Sequence, residues 1–126
     1  VERQGGVLLL AQMSSRGNLL TEEYGKNVVG KGVENDGVLG FIGNGSRPED
    51  LRVLRQRVGE QKMIWTPGVN IAVGDGEMGQ RYGDPCEAVI AGADCIIVGS
   101  GIHQADNPSE VAKQYAELSW QGLLDR

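Results

Sequence analysis

Histidine, cysteine and basic side chains are scarce in this sequence of 126 residues, and each shortage bears on a class of site. The single histidine, His103, cannot form a histidine-cluster metal site, and the scarcity of histidine also argues against a Ser-His-Asp catalytic triad. Cys86 and Cys95 lie in unlike contexts, and without a secretory signal we expect free thiols. The net charge of −5 and the pI near 4.8 argue against a basic face that meets nucleic acid or anionic membranes.

Long apolar runs are also missing. The longest, such as residues 7–11, fall far short of the roughly 20 residues that a membrane-spanning helix needs. No charged-then-apolar signal pattern is visible near the start of the sequence. We therefore expect a soluble, cytoplasmic chain that forms a single domain over residues 1–126, a length sufficient to enclose a core.

Four strand-then-helix units follow one another along the chain. The strands are predicted from continuous apolar runs, which indicate burial on both faces, as in a parallel sheet. The fold class is therefore α/β, with a (β/α)₄ order that fits either a small doubly wound sheet or half of an eight-stranded barrel. The predicted strands are residues 7–13, 38–42, 62–66 and 94–98, and the predicted helices are residues 21–34, 48–58, 84–91 and 107–124.

Each helix start carries a capping signal. Thr21, Asp84 and Asn107 are predicted N-caps, because their side-chain oxygens can accept from the first free backbone N–H groups. Ser46 and Glu49 have the spacing of a capping box, so we expect Ser46 to cap the second helix.

The loops after the strands are where a ligand is expected, since both architectures bind ligands at the carboxyl ends of their strands. In barrels a phosphate commonly lies between the loops after strands seven and eight. If the chain is a C-terminal half, the backbone N–H groups of Gly99, Ser100 and Gly101 would meet that phosphate. A turn without function is the plainer interpretation.

Two other features of these loops are less specific. Residues 74–79 match the pattern GxGxxG, but they neither follow a strand directly nor open a helix, as a dinucleotide site requires. Ser14 and Ser15 lack a suitably placed base, so hydrogen bonds to a polar ligand ring, or a turn role, are more plausible than nucleophilic chemistry.

Four segments together carry a resemblance to a known family. They resemble the C-terminal half of orotidine 5′-monophosphate decarboxylase in its eukaryotic form, often the decarboxylase domain of a bifunctional UMP synthase. Their order and spacing cover essentially the whole chain. The segments are LLLAQMSSRG (8–17) with Tyr24 downstream, GFI (40–42), TPGV (66–69) followed by GQRY (79–82), and DCIIVGSGI (94–102) with Tyr115 and Trp120 in the final helix.

The resemblance implies a carbon–carbon lyase of pyrimidine biosynthesis, which decarboxylates orotidine monophosphate to UMP without a metal or organic cofactor. By position, Ser14 would hydrogen-bond the pyrimidine, and Gln80 would bridge the phosphate and the base. Tyr82 would donate its hydroxyl to the phosphate. Pro67 would lie near the scissile carboxylate and Ile42 on the apolar wall, while the loop 67–82 would close over the phosphate.

Two departures from the family pattern matter. The family's catalytic array alternates Lys and Asp in a DxKxxD segment, and no Asp-x-Lys occurs here. We expect that array in an N-terminal half upstream of Val1, so the isolated chain should be inactive and hold no catalytic residue. The family also has arginine between the glycines after the last strand, where this chain has Ser100 between Gly99 and Gly101.

The predicted half-barrel has open edges, which proteins rarely leave exposed. We expect it to pair with an N-terminal half or to self-associate, and by resemblance the intact enzyme is a homodimer. Two alternatives stay open: a non-catalytic half-barrel that binds nucleotide weakly or serves in assembly, and another phosphosugar-binding barrel enzyme.

Overall fold

A computed structural model describes residues 5–72 and 82–126. Within them the chain alternates strand and helix as predicted, with one additional short helix after the last strand. None of the helices in these two stretches is long and apolar enough to cross a membrane. In chain order the elements are β1 (Val7–Leu10), α1 (Glu22–Val33), β2 (Val38–Ile42), α2 (Pro48–Val58), β3 (Met63–Thr66), α3 (Pro85–Ile90), β4 (Cys95–Ile96), α4 (Ser100–His103) and α5 (Pro108–Asp125).

The four strands form one parallel sheet in the order β1-β2-β3-β4, so each strand pairs with its neighbours in the chain. The helices pack side by side in sequence, α1 on α2, α2 on α3 and α3 on α5. They therefore cover one face of the sheet. A doubly wound sheet would be covered on both faces, so the arrangement is that of half a (β/α)₈ barrel.

The covered face holds the core. The strand register aligns Leu9, Phe41 and Ile64 in one row beneath the helices, and Phe41 and Ile64 are fully buried there. Gly32 of α1 lies against the Phe41 ring: a Cβ at this position would come within 2.6 Å of Phe41 Cζ. The continuous apolar runs predict burial on both faces of the strands; the described residues bury this face, whereas the other stays partly exposed.

The opposite face, which would line the interior of a closed barrel, is apolar and open. Leu10, Ile42, Trp65 and Cys95 stand in one row across all four strands. Leu10 remains 39% exposed, and Met63 and Ile97 on the same face are 39% and 40% exposed. The described residues thus leave an uncovered hydrophobic surface, which in a soluble protein marks an interaction site.

Three predicted helix caps are confirmed and one is wrong. Thr21 Oγ1 accepts from Tyr24 N–H at 3.0 Å, and Asp84 and Asn107 cap α3 and α5 in the same way. Ser46 does not cap α2. Its hydroxyl donates instead to Asn44 Oδ1 at 2.7 Å, a buried acceptor that outcompetes the helix end.

Arg47 is therefore the N-cap residue of α2, without a side-chain cap bond. Its guanidinium pairs with Glu49 at 3.0 Å, so Glu49 does not close a capping box. This hydrogen bond raises the pKa of Arg47. Hydrogen bonds from the backbone N–H of Glu49 and then from Arg47 lower the pKa of the Glu49 carboxyl.

Arg55 of α2 joins the turns that precede β3 and β4. Its Nη1 donates to the carbonyls of Gly59 at 2.7 Å and Lys62 at 3.0 Å. Its Nε and Nη2 both donate to the carbonyl of Gly92, at 3.0 and 2.7 Å. The guanidinium also forms an ion pair with Asp94. One side chain thus binds the two turns together at the amino ends of the strands, the end away from the expected ligand.

Candidate functional site

The loops after β1, β2 and β3 meet at the carboxyl end of the sheet. Ser14, which follows β1, is buried. Gly68 lies directly against it, since a Cβ at residue 68 would come within 2.8 Å of Ser14 Cβ and 2.9 Å of Ser14 Oγ. Gly68 also has a positive φ of 82°, so a side chain would be strained there as well as crowded. The structure therefore brings Ser14 next to the Pro67–Gly68 turn.

Backbone hydrogen bonds hold the β2 and β3 loops together. The N–H of Gly45 donates to the Pro67 carbonyl at 3.0 Å. The N–H of Gly83 donates to the Gly68 carbonyl at 2.8 Å, and Gly83 packs on the backbone of Gly45 so closely that a Cβ would overlap its carbonyl oxygen. Tyr82, the residue before Gly83, is partly buried.

Ile42 ends β2 between Leu10 and Trp65 on the open face of the sheet, where it is partly buried. Its carbonyl accepts from the N–H groups of Ala11 and Gln12, both at 3.1 Å. These two bonds to one carbonyl end the regular ladder, which explains why β1 stops at Leu10 although the apolar run continues to Met13.

Gln12 and Asn44 are polar residues of this end that the sequence analysis did not assign to a site. Gln12 Oε1 accepts from Asn44 N–H at 3.0 Å, and Gln12 Nε2 donates to the Asp50 carbonyl at 2.9 Å. Asn44 is buried and its Oδ1 accepts from Ser46. Their role is to shape the β1 and β2 loops. The available signal was Gln12, the one polar residue within an otherwise apolar strand run.

The loop after β4 becomes the first turn of a short helix. Gly99 is the N-cap of α4, and its carbonyl accepts from Ile102 and His103 N–H. The sequence predicts a glycine turn here, and the helix α4 is an addition to that prediction. A short extra helix after the last strand is the usual position of a phosphate site in (β/α)₈ barrels.

A cavity of about 480 Å³ separates α4 from the segment that follows β3. Ser100 and Gly101 line it from one side, and Asn70, Ile71 and Ala72 line it from the other. No charged side chain of the described residues lines it, so recognition there depends on backbone N–H groups and neutral polar atoms.

A second cavity, of about 450 Å³, lies between α1 and α2. Gln12, Asn44, Arg47 and Arg57 are among its lining residues. None of the predicted substrate residues that the structure describes lines it, so it is separate from the candidate site.

Neither cysteine is an activated nucleophile. Both are free, as predicted. Burial, and then the negative charge of Asp94, raise the pKa of the Cys95 thiol. Burial and three nearby carboxylates, Asp84 first among them, raise the pKa of Cys86. Both shifts reduce the thiolate fraction of the two cysteines at a given pH.

Comparison with known proteins identifies the fold family. The family model "Orotidine 5′-phosphate decarboxylase / HUMPS family" matches residues 1–115. The chain belongs to this family. Orotidine 5′-phosphate decarboxylase from Passalora fulva is 37% identical over 122 residues, which are 96% of this chain and 44% of that protein. The Emericella nidulans protein of the same name is 38% identical over 124 residues, which are 98% of this chain and 45% of the length of that protein.

Solved structures of orotidine 5′-phosphate decarboxylases agree with the half-barrel. The Pyrococcus horikoshii structure superposes with a TM-score of 0.73 at 31% identity, covering 92% of this chain and 51% of that one. The Sulfolobus solfataricus structure gives 0.69 at 28% identity, over 94% of this chain and 50% of that one. The chain thus spans about half the length of its relatives, consistent with the C-terminal half of the barrel.

Against this family, the predicted site residues divide into three groups. Ser14 lies against Gly68, which follows Pro67, and Tyr82 precedes Gly83, whose N–H donates to the Gly68 carbonyl. Ser100 lies across the 480 Å³ cavity from residues 70–72, and Gly99 caps its helix. Gln80, the GxGxxG pattern at 74–79 and most of the predicted closing loop lie outside the described residues.

Proposed function

We propose that residues 1–126 form one unit, the C-terminal half of an orotidine 5′-phosphate decarboxylase barrel, and that this half recognises the pyrimidine and the phosphate of the substrate. The catalytic Lys/Asp array belongs to the N-terminal half of the barrel. The observation that carries the proposal is the family membership combined with strand-end loops that gather Ser14 and Pro67 in one place.

Base recognition is assigned to the side formed by the first three loops. Ser14 is buried against Gly68, so its hydroxyl is held in one position rather than free in solvent. Pro67 precedes Gly68 and Ile42 ends β2 at the same end of the sheet, and both apolar side chains are only partly buried. A fixed hydroxyl next to apolar walls suits a flat polar ring, which needs a few well-placed hydrogen bonds and otherwise apolar contact.

Phosphate recognition is assigned to Gly99 and Ser100 with Gln80 and Tyr82. The start of α4 offers backbone N–H groups, and the cavity beside it has room for a phosphate. Ser100 supplies one neutral hydroxyl where the family arginine would supply a charged, forked donor. Phosphate binding is therefore weaker than in a protein with arginine at this position.

The partner of this half is proposed from its open surface. The exposed apolar face around Leu10, Met63 and Ile97 needs a cover, and the free edges of β1 and β4 need strands. An N-terminal half of the same barrel supplies both. A homodimer of complete barrels is the assembly that we propose for the intact enzyme.

Native mass spectrometry of the purified protein, with and without UMP, tests the proposal. A particle that contains a second, N-terminal polypeptide and gains the mass of UMP is the expected result, and it should decarboxylate orotidine monophosphate. The isolated chain should not. A monodisperse monomer of 13.5 kDa would contradict the proposed partner, since the open face would then be tolerated in water.

Ser100→Arg tests the phosphate assignment within that particle. A hydrogen bond to a charged group is worth roughly 1.5–3 kcal/mol, so UMP affinity measured by titration calorimetry should rise about ten- to a hundredfold. Gln56→Arg, which adds the same charge at an exposed position of α2, is the matched control and should leave the affinity unchanged. An equal response of both variants, or none, would contradict the assignment.

Ser100 and the uncharged cavity also favour a second candidate, a non-catalytic half-barrel that binds nucleotide weakly or serves in assembly. A homo-oligomer of this chain that ignores UMP in the same experiment would support it.

A further inference from the structure

Tyr115 of α5 places a hydroxyl between the loops that follow β3 and β4. The side chain is 2% exposed. Its hydroxyl oxygen accepts from Ile71 N–H at 3.1 Å, and the hydroxyl donates to Asn70 Oδ1 at 3.3 Å. Both partners lie in the segment after β3, more than forty residues away in the chain. Within the described residues, the hydrogen bonds of this buried hydroxyl are made to the segment after β3.

The same hydroxyl is in contact with α4. A Cβ at Gly101 would come within 2.5 Å of the Tyr115 hydroxyl oxygen and 3.4 Å of its Cζ. The glycine at 101 therefore lets the first turn of α4 approach the tyrosine closely. One atom touches both walls of the 480 Å³ cavity, since Asn70 and Ile71 form one wall and Gly101 the other.

Asn70 extends this contact to the far end of the β3 loop. Its Oδ1 also accepts from Ala72 N–H at 2.8 Å, and its own N–H donates to the Gly83 carbonyl at 2.9 Å. Gly83 in turn follows Tyr82, one of the proposed phosphate ligands. Tyr115 is thereby linked through Asn70 to the β3 loop on both sides of residues 73–81.

We infer that Tyr115 is a positioning residue for phosphate binding: its hydroxyl sets the separation between the β3 loop and the start of α4. The inference rests on the proposed function, because it assigns the ligand phosphate to the cavity between those walls. Without the hydroxyl, Ile71 N–H and Asn70 Oδ1 lose a partner, and the atom against which Gly101 packs is gone. The affinity for ligand groups that contact both walls should decrease, and the affinity for groups bound at Ser14 should not change.

Tyr115→Phe tests this in the assembled particle that binds UMP, because it removes one oxygen and keeps the buried ring. Dissociation constants of UMP and of uridine, which lacks the phosphate, are measured for each protein. We expect UMP to bind about tenfold more weakly and uridine to bind unchanged, because the loss of the two hydroxyl hydrogen bonds loosens only the walls that contact the phosphate. Tyr24→Phe, at an exposed position of α1, is the matched control. A purely structural role would lower both affinities together.

Gly101→Ala perturbs the same contact from the other wall. Its Cβ should push α4 away from the tyrosine hydroxyl and lower the UMP affinity, and the loss should be smaller in a Tyr115→Phe background, where the hydroxyl is gone. An unchanged ratio of UMP to uridine affinity in Tyr115→Phe, or additive effects in the double variant, would overturn the inference. A wild-type particle that binds UMP no better than uridine would instead overturn the proposed phosphate site itself.

Discussion

Replacement of Arg55 by methionine should destabilise the fold more than any surface change on the same helix. The guanidinium binds the carbonyls of Gly59, Lys62 and Gly92 and pairs with Asp94, while only 12% of the side chain is exposed. Methionine retains the apolar stem and removes every one of these donors.

The size of the loss follows from those contacts. Each hydrogen bond from a charged donor is worth about 1.5–3 kcal/mol, but bonds that share one group do not add. The carbonyls of Gly59, Lys62 and Gly92 lose their charged donor, which costs about 1.5–3 kcal/mol, whereas the ion pair adds little because Asp94 is exposed and also pairs with Arg126. We expect a decrease of that order in the free energy of unfolding. Asp94 keeps the N–H of Ile64 at 2.8 Å, which limits the loss.

Urea unfolding followed by circular dichroism, at one fixed protein concentration, measures the decrease. Arg52→Met is the matched control, since Arg52 is exposed on the same helix and its loss should cost about 0.5 kcal/mol or less. Because Arg55 lies at the amino ends of the strands, the UMP affinity of the folded variant should stay unchanged. If Arg55→Met and Arg52→Met unfold within about 1 kcal/mol of each other, the reasoning from these contacts is refuted.

Two further predictions concern packing and thiol chemistry. Gly32→Ala should lower the free energy of unfolding by about 1–3 kcal/mol, since its Cβ would crowd the Phe41 ring. Gly30→Ala is the control: a Cβ there meets nothing within 4 Å, so helix propensity should raise the free energy of unfolding by up to about 1 kcal/mol. Similar effects at both positions in urea unfolding would contradict the packing argument. Cys86 and Cys95 should react with iodoacetamide more slowly than free cysteine near pH 8, because a raised pKa leaves less thiolate at a given pH. Their reaction rates should rise only at higher pH. If their pH–rate profiles overlay that of free cysteine, the inferred effect of burial on the thiols is contradicted.

Local signals in the sequence were sufficient for most of the secondary structure. Thr21 and Asp84 cap their helices because a cap requires only the next few residues. The prediction that Ser46 caps α2 was wrong because the Ser46 hydroxyl bonds to Asn44 instead. Asn44 is held there by a hydrogen bond to Gln12, in the loop after β1, which the local sequence around Ser46 does not show. The four-residue helix α4 has no side-chain cap bond, so nothing in the sequence marked its start.

The site shows the same division between local and distant information. The strand ends could be predicted as the ligand region, because parallel sheets place their loops at one edge. The contact of Ser14 with Gly68 joins loops from two different strands, and the bonds of Tyr115 join α5 to the β3 loop. Tyr115 received no predicted role in the site, since a sequence does not show which groups the hydroxyl of a distant helix reaches.

The strictly sequential pairing of the strands has a consequence for folding kinetics. Each strand finds its partner in the next strand of the chain, across a single helix, so every ladder in this half closes a loop of modest length and modest entropic cost. We expect the four units to assemble quickly in any order. The slow step is the pairing of the outer edges of β1 and β4 with strands of the other half of the barrel. When the two halves are separate chains, they must meet by diffusion, so the rate of barrel assembly should depend on protein concentration.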